Sequence, residues 1–299
     1  MTLQLPPLVG PDALLAVLGD PALRLFDATV ELVRPPEGGP YTVRSGRAAY
    51  EREHIEGAAF ADIPGALSDP ESPFAFTLPD ATRFEQAAGR LGIGEGTHVV
   101  AYAQDSPMWA TRLWWQLRYF GFDAVSVLDG GLPAWKAAGL ALSDAPAAYP
   151  PSSFSARPRS GWVAPRSEIE RIVDAGDGST CLVNALTPPV FRGEGPSSYS
   201  RPGRIPGSVN APWTALIDPA TNRFRPVAEL RRELDAAGAL GPQPVIAYCG
   251  GGISATVDLF ALRLIGRDGC LYDGSLTEWS ADPSLPLETD RTAQAGGTA

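Results

Sequence analysis

Cysteine is scarce in this chain. Only Cys181, Cys249 and Cys270 occur among 299 residues, too far apart for a disulfide framework or a zinc-binding pattern. No metal and no organic cofactor is implied. Basic residues are also in short supply: 24 Lys and Arg stand against 34 Asp and Glu, a net charge of −10. So acidic a chain is not suited to nucleic acid or to an anionic membrane surface. Long apolar runs are missing too, since none approaches the roughly 20 residues that span a bilayer. The N-terminus carries no Lys or Arg before Arg24 and contains Pro6-Pro7, unlike a secretory signal. Together these absences point to a reduced, cytoplasmic protein. What is present is ample apolar material, 44% of residues, with 32 glycines and 30 prolines dispersed without repetition. A chain of this length and composition supports two globular domains with substantial cores.

One stretch organises the rest. Pro244 to Tyr248 reads as a short buried strand, and Ile253 to Gly266 as a largely apolar helix. Between them stand Cys249 and three glycines, Gly250, Gly251 and Gly252. Glycines at that point let the backbone of Gly250 to Ser254 curl so that successive N–H groups face inward at a helix N-terminus. Such a nest stabilises negative charge, and the nearest candidate is the sulfur of Cys249, which would then be a competent nucleophile. A buried, inert cysteine beside a flexible turn is the plainer alternative.

The chain repeats itself. Leu23–Asp27 reads as a strand ending on an acid, and Thr180–Asn184 matches it. His54-Ile-Glu-Gly corresponds to Arg204-Ile-Pro-Gly, Val99–Ala103 to Val245–Cys249, and Asp129-Gly-Gly-Leu-Pro-Ala-Trp135 to Asp273-Gly-Ser-Leu-Thr-Glu-Trp279. The offsets drift only from 150 to 146 to 144, which is the signature of an internal duplication. Strands alternate with helices in both halves, including helices at Asp80–Leu91 and Trp109–Phe120. Each half should therefore be an α/β domain around a mostly parallel sheet, with its site at the C-terminal ends of the strands. The spacing places an N-terminal domain at 1–145, a Pro/Ala/Ser-rich linker at 146–160, a C-terminal domain at 161–285 and a disordered tail at 286–299. The first half has Ala103 where the second has Cys249, so chemistry is expected only in the second.

Tandem halves with a cysteine loop only in the second resemble the two-domain rhodanese family of sulfurtransferases. The resemblance runs from Leu23 to Trp279 and is carried by Gly203-x-Ile-Pro-Gly207, His54-Ile-x-Gly-Ala58, Trp114-Trp115 with Arg118, the paired Asp-Gly-x-Leu-x-x-Trp segments and Cys249-x-x-Gly252. It implies two tandem rhodanese-like domains and a Cys249 that takes sulfur from a donor as a persulfide. It also implies a thiophilic acceptor: cyanide, or a thiol such as that of thioredoxin. Thiosulfate-preferring members carry basic residues just after the cysteine, where Gly250 and Gly251 stand here. The loop is closer to that of mercaptopyruvate sulfurtransferases, with Gly250, Gly252, Ile253 and Ser254 in place, although Gly251 lacks a hydroxyl. Phe76 occupies the region of a family histidine, and Val190 the position of a substrate arginine. Arg192, Arg201 and Arg204 are the nearby cations that could bind substrate instead, Arg204 replacing the usual histidine of its motif.

Three other readings compete with this one. Gly250-x-Gly252-x-x-Ala255 has the outline of a dinucleotide-binding turn, but too little chain follows Asp273 to complete such a sheet. A cysteine phosphatase needs an arginine to clamp phosphate, and none follows Cys249 until Arg263, inside the helix. A non-catalytic or redox-sensing binding protein of the same fold stays open, because the substrate positions are so altered.

Overall fold

The computed structural model describes residues 3–33, 35–195 and 197–290. The chain divides into two units. The first comprises Met1–Glu31, Val43–Ser160 and Ile217–Phe224, the second Leu32–Thr42, Gly161–Leu216 and Arg225–Ala299.

In the first unit, β1 (Leu8–Val9), β2 (Leu23–Asp27), β3 (Ala59–Phe60), β4 (His98–Tyr102) and β5 (Val125–Leu128) form a parallel sheet in the order β1-β5-β4-β2-β3. All five residues of β4 are buried. That fits the continuous apolar run His98-Val-Val-Ala-Tyr102, because a central parallel strand has helices on both faces. Helix α1 (Ala81–Arg90) starts where the Asp80 carboxylate accepts the Arg83 N–H at 2.7 Å, and it buries Phe84, Ala87 and Ala88 on one face. Helix α2 (Pro107–Tyr119) has proline in its first turn and is buried almost throughout, Trp109 and Trp115 included. Helix α3 (Gly131–Ala137) follows β5.

The segment 146–160 is not a free linker. The Tyr149 hydroxyl accepts the Leu25 N–H at 2.8 Å and donates to the Gly57 carbonyl at 2.9 Å. Phe154 is buried edge-on against Phe84, and Arg159 grips the Asp123 carboxylate with two bonds of 2.9 and 2.6 Å. Two aromatic anchors and a charge pair hold this strap onto the first unit, which proline and alanine content alone does not reveal.

The second unit repeats the plan. Strands β6 (Cys181–Asn184), β7 (Val209–Asn210), β8 (Val245–Tyr248) and β9 (Cys270–Leu271) form a parallel sheet in the order β7-β6-β8-β9. Around it lie α4 (Arg166–Ala175), α5 (Val227–Ala236), α6 (Ala255–Leu264) and α7 (Ser275–Ala281). The repetition reaches single hydrogen bonds. Tyr102 Oη accepts the Ile55 N–H at 3.1 Å in one unit, and Tyr248 Oη accepts the Ile205 N–H at 3.1 Å in the other. Trp135 and Trp279 each donate Nε1–H to a carbonyl a few residues on, both at 2.8 Å.

Part of the expected tail is ordered. Arg204 and Glu288 exchange two backbone hydrogen bonds, of 3.0 and 2.9 Å, and the Arg204 guanidinium meets Glu288 at 3.4 Å and Asp290 at 2.7 Å. These contacts hold residues 288–290, within the stretch expected to be disordered, while 291–299 lie outside the described residues. Among the described residues no helix is long and apolar enough to cross a membrane.

Candidate functional site

Strand β8 delivers Cys249 to the C-terminal edge of the second sheet, and the loop 249–254 leads directly into α6. Cys249 is 2% exposed. The loop is held from one side by the start of α7. Ser275 Oγ accepts the N–H of Cys249 at 3.0 Å and that of Gly252 at 3.1 Å, and donates its own proton to the Tyr272 carbonyl at 2.8 Å. The Cys249 carbonyl accepts the Leu276 N–H at 3.1 Å, and the Gly250 carbonyl accepts both the N–H and the hydroxyl of Thr277. The loop carbonyls are thus turned toward α7. The N–H groups of Gly250, Gly251, Ile253 and Ser254 have no acceptor among the described residues. Those four donors, at the start of a ten-residue helix, can hold an anion.

The three glycines differ in purpose. Gly252 has φ 72°, a left-handed conformation, whereas neither Gly250 nor Gly251 has a positive φ. A Cβ built on Gly250 would lie 2.2 Å from the Tyr199 hydroxyl and 2.9 Å from its Cζ. Glycine there lets the phenol lie against the loop, and a side chain would have to displace it.

Asp258, in the first turn of α6, is fully buried, and neither carboxyl oxygen has a hydrogen-bond partner. Burial, and secondarily the charge of Cys249, holds its carboxyl well above the usual carboxylate range. Burial also pushes up the other two thiols. Cys181 is raised and Cys270 reaches about 12, with Glu168 adding to the effect.

The three arginines are engaged elsewhere. Arg192 makes a two-pronged pair with Glu194, both bonds at 2.8 Å. Arg201 donates to the carbonyls of Ser280, Leu285 and Asp282. Arg204 stacks on Phe191 at 4.5 Å and clips residues 288–290. Phe76, in the first unit, is buried with φ 68°, and its carbonyl accepts Arg112 Nη2 at 2.6 Å. Val190 lies half-buried on the short helix Pro188–Phe191.

Three residues at this site were not singled out from the sequence. Ser275 had a signal, being the serine in the second Asp-Gly-x-Leu repeat where the first has Gly131. Asp258 had a weaker one, as an acid inside an otherwise apolar helix. Tyr199 had none, because the long irregular loop that carries it has no periodicity to read.

The rhodanese-like domain family matches residues 11–138 and 191–282. The 3-mercaptopyruvate sulfurtransferase of Escherichia coli (strain K12) is 32% identical over 283 residues, covering 94% of this chain and 97% of that protein. The Homo sapiens 3-mercaptopyruvate sulfurtransferase is 35% identical over 273 residues, covering 90% of this chain and 88% of the relative. The crystal structure of SseA from Escherichia coli, described as having the rhodanese fold, superposes with a TM-score of 0.77 at 30% identity, covering 91% of this chain and 99% of SseA.

Proposed function

We propose that this chain, which belongs to the rhodanese family and is a sulfurtransferase, carries the transferred sulfur as a persulfide on Cys249. The observation that supports this most is the loop 249–254. It has one sulfur at a strand end, a backbone pinned by Ser275, and four backbone N–H groups left for an anion. The Cys249 thiolate attacks the sulfur of a donor such as 3-mercaptopyruvate. A sulfur–sulfur bond forms as the donor's carbon–sulfur bond breaks, and the electron pair leaves as the enolate of pyruvate, which then takes a proton. An acceptor, cyanide or a thiolate such as that of thioredoxin, attacks the outer sulfur, and the Cys249 thiolate departs to restore the free enzyme. The nest offers hydrogen bonds to the negative outer sulfur while the persulfide waits. Because burial favours the neutral form of Asp258, that carboxyl does not oppose the charge on sulfur.

The donor follows from the charges. Thiosulfate brings two negative charges, and each charge-assisted hydrogen bond it fails to find costs roughly 1.5–3 kcal/mol. A helix terminus returns only about 0.3–1 kcal/mol when partly exposed. Arg192, Arg201 and Arg204 are engaged with carboxylates or carbonyls, so 3-mercaptopyruvate is the better donor and thiosulfate has a high KM.

Incubation with 3-mercaptopyruvate should add about 32 Da, one sulfur, to the peptide containing Cys249, and cyanide should remove it as thiocyanate. Cys249→Ser should lose both the adduct and turnover while staying folded, and Cys181→Ser and Cys270→Ser should keep both. Turnover that survives in Cys249→Ser would sink the assignment.

A further inference from the structure

The phenol of Tyr199 reaches the residue that follows the nucleophile, and its placement is built in from both sides. Its backbone is fixed by Ser197, whose Oγ accepts the Tyr199 N–H at 3.0 Å and donates to the Tyr199 carbonyl at 3.1 Å. Its hydroxyl end lies where a Cβ on Gly250 would be, 2.2 Å from the oxygen, 2.9 Å from Cζ and 3.0 Å from Cε1. Gly250 has no backbone need to be glycine, since its φ is not positive. The pair is therefore matched. A side chain at position 250 would push the phenol off the loop, and with glycine the phenol lies against the residue next to Cys249.

A phenol differs from an arginine in what it can recognise. It is neutral at physiological pH, and its oxygen can donate one hydrogen bond and accept others. It suits a donor that presents a carbonyl or carboxylate oxygen close to its sulfur. It does nothing to offset a second negative charge, and a chain of net charge −10 offers no general compensation.

We propose that the Tyr199 hydroxyl is the donor-recognition group of the Cys249 site, hydrogen-bonding an oxygen of an α-keto-acid thiol and thereby setting the preference for such donors over thiosulfate. This rests on the persulfide reading above and adds the residue that selects the donor. Tyr199 acts on binding and orientation, and the sulfur transfer itself remains with Cys249.

The test compares the full-length chain with Tyr199→Phe, using 3-mercaptopyruvate and thiosulfate as donors and cyanide as acceptor, with intact-mass detection of the Cys249 adduct. Losing one neutral hydrogen bond should lower kcat/KM for 3-mercaptopyruvate about three- to tenfold, mainly through KM, and change thiosulfate by less than about twofold. Gly250→Ala, which displaces the phenol, should move the donor ratio the same way. The adduct should still form in Tyr199→Phe at saturating donor. An unchanged donor ratio in Tyr199→Phe, or an equal loss with both donors, overturns the role of Tyr199 while leaving the persulfide intact. Wild-type protein that forms no adduct with either donor overturns the persulfide reading itself, and this assignment with it.

Discussion

Ser275 holds a backbone φ of 51°, a left-handed conformation that costs a residue with a side chain about 1–2 kcal/mol. The first unit uses Gly131, φ 56°, at the matching place, and there no strain arises. The serine is retained because its buried hydroxyl accepts two N–H groups of the cysteine loop. Ser275→Ala keeps the strain and leaves those donors unpaired, at roughly 1–3 kcal/mol for each that finds no water. Ser275→Gly loses the same bonds but relieves the backbone. Urea unfolding should therefore rank wild type above Ser275→Gly, and Ser275→Gly above Ser275→Ala by about 1 kcal/mol. Both variants should lose kcat, since the loop N–H groups are no longer aimed. Equal stability for the two variants would mean the left-handed conformation carries no cost here.

At the scale of elements, α6 is an apolar helix with one acid buried in it. Asp258 holds its proton in the fold to a higher pH than it does in the unfolded chain, where carboxylates titrate near pH 4. Its contribution to stability is therefore fully present below that pH and is lost as pH rises toward the folded value. Of the elements packed against α6, β8 carries Tyr248, whose hydroxyl donates to Ser208, and β9 carries Cys270. Cys249 is the charge that acts on Asp258. Asp258→Asn, which does not titrate, should remove a slope of up to about 1.4 kcal/mol per pH unit from a plot of unfolding free energy between pH 4 and 8. Parallel plots for the two proteins would refute a raised Asp258. Most of the elements were legible beforehand. The continuous apolar runs of β4 and β8 and the helical spacing of Phe84, Ala87 and Ala88 follow from burial on two faces or on one. The strap 146–160 was not legible, because its order comes from Tyr149 and Phe154 meeting partners distant in sequence. Nor was the place of Tyr199, which depends on the loop around it and not on its neighbours in the chain. The strand and loop that hold Cys249 were legible because a strand, a cysteine and a glycine turn are all local.

For the whole molecule the duplication is the governing fact, and it was readable because matched segments kept their order. What the sequence could not show was that Arg204, standing where the family motif has histidine, is 11% exposed at its side chain and clips residues 288–290. Its partners are 43% and 47% exposed, so the two ion pairs contribute little, of order 1 kcal/mol at most. Arg204→Ala should speed hydrogen exchange and proteolysis at 288–290 while leaving KM for 3-mercaptopyruvate within about twofold of wild type. A large rise in KM would place Arg204 on the substrate instead. The support that Ser275 and Thr277 give to the cysteine loop also has a consequence in time. A ribosome makes Cys249 before it makes Ser275, Leu276 and Thr277, which hold its loop from a point 26 residues downstream. At about 5–20 residues per second, the nascent chain carries that thiol for a second or more before the scaffold that orients it exists. The sulfur of Cys249 is thus on the growing chain before the helix that positions its loop has been made.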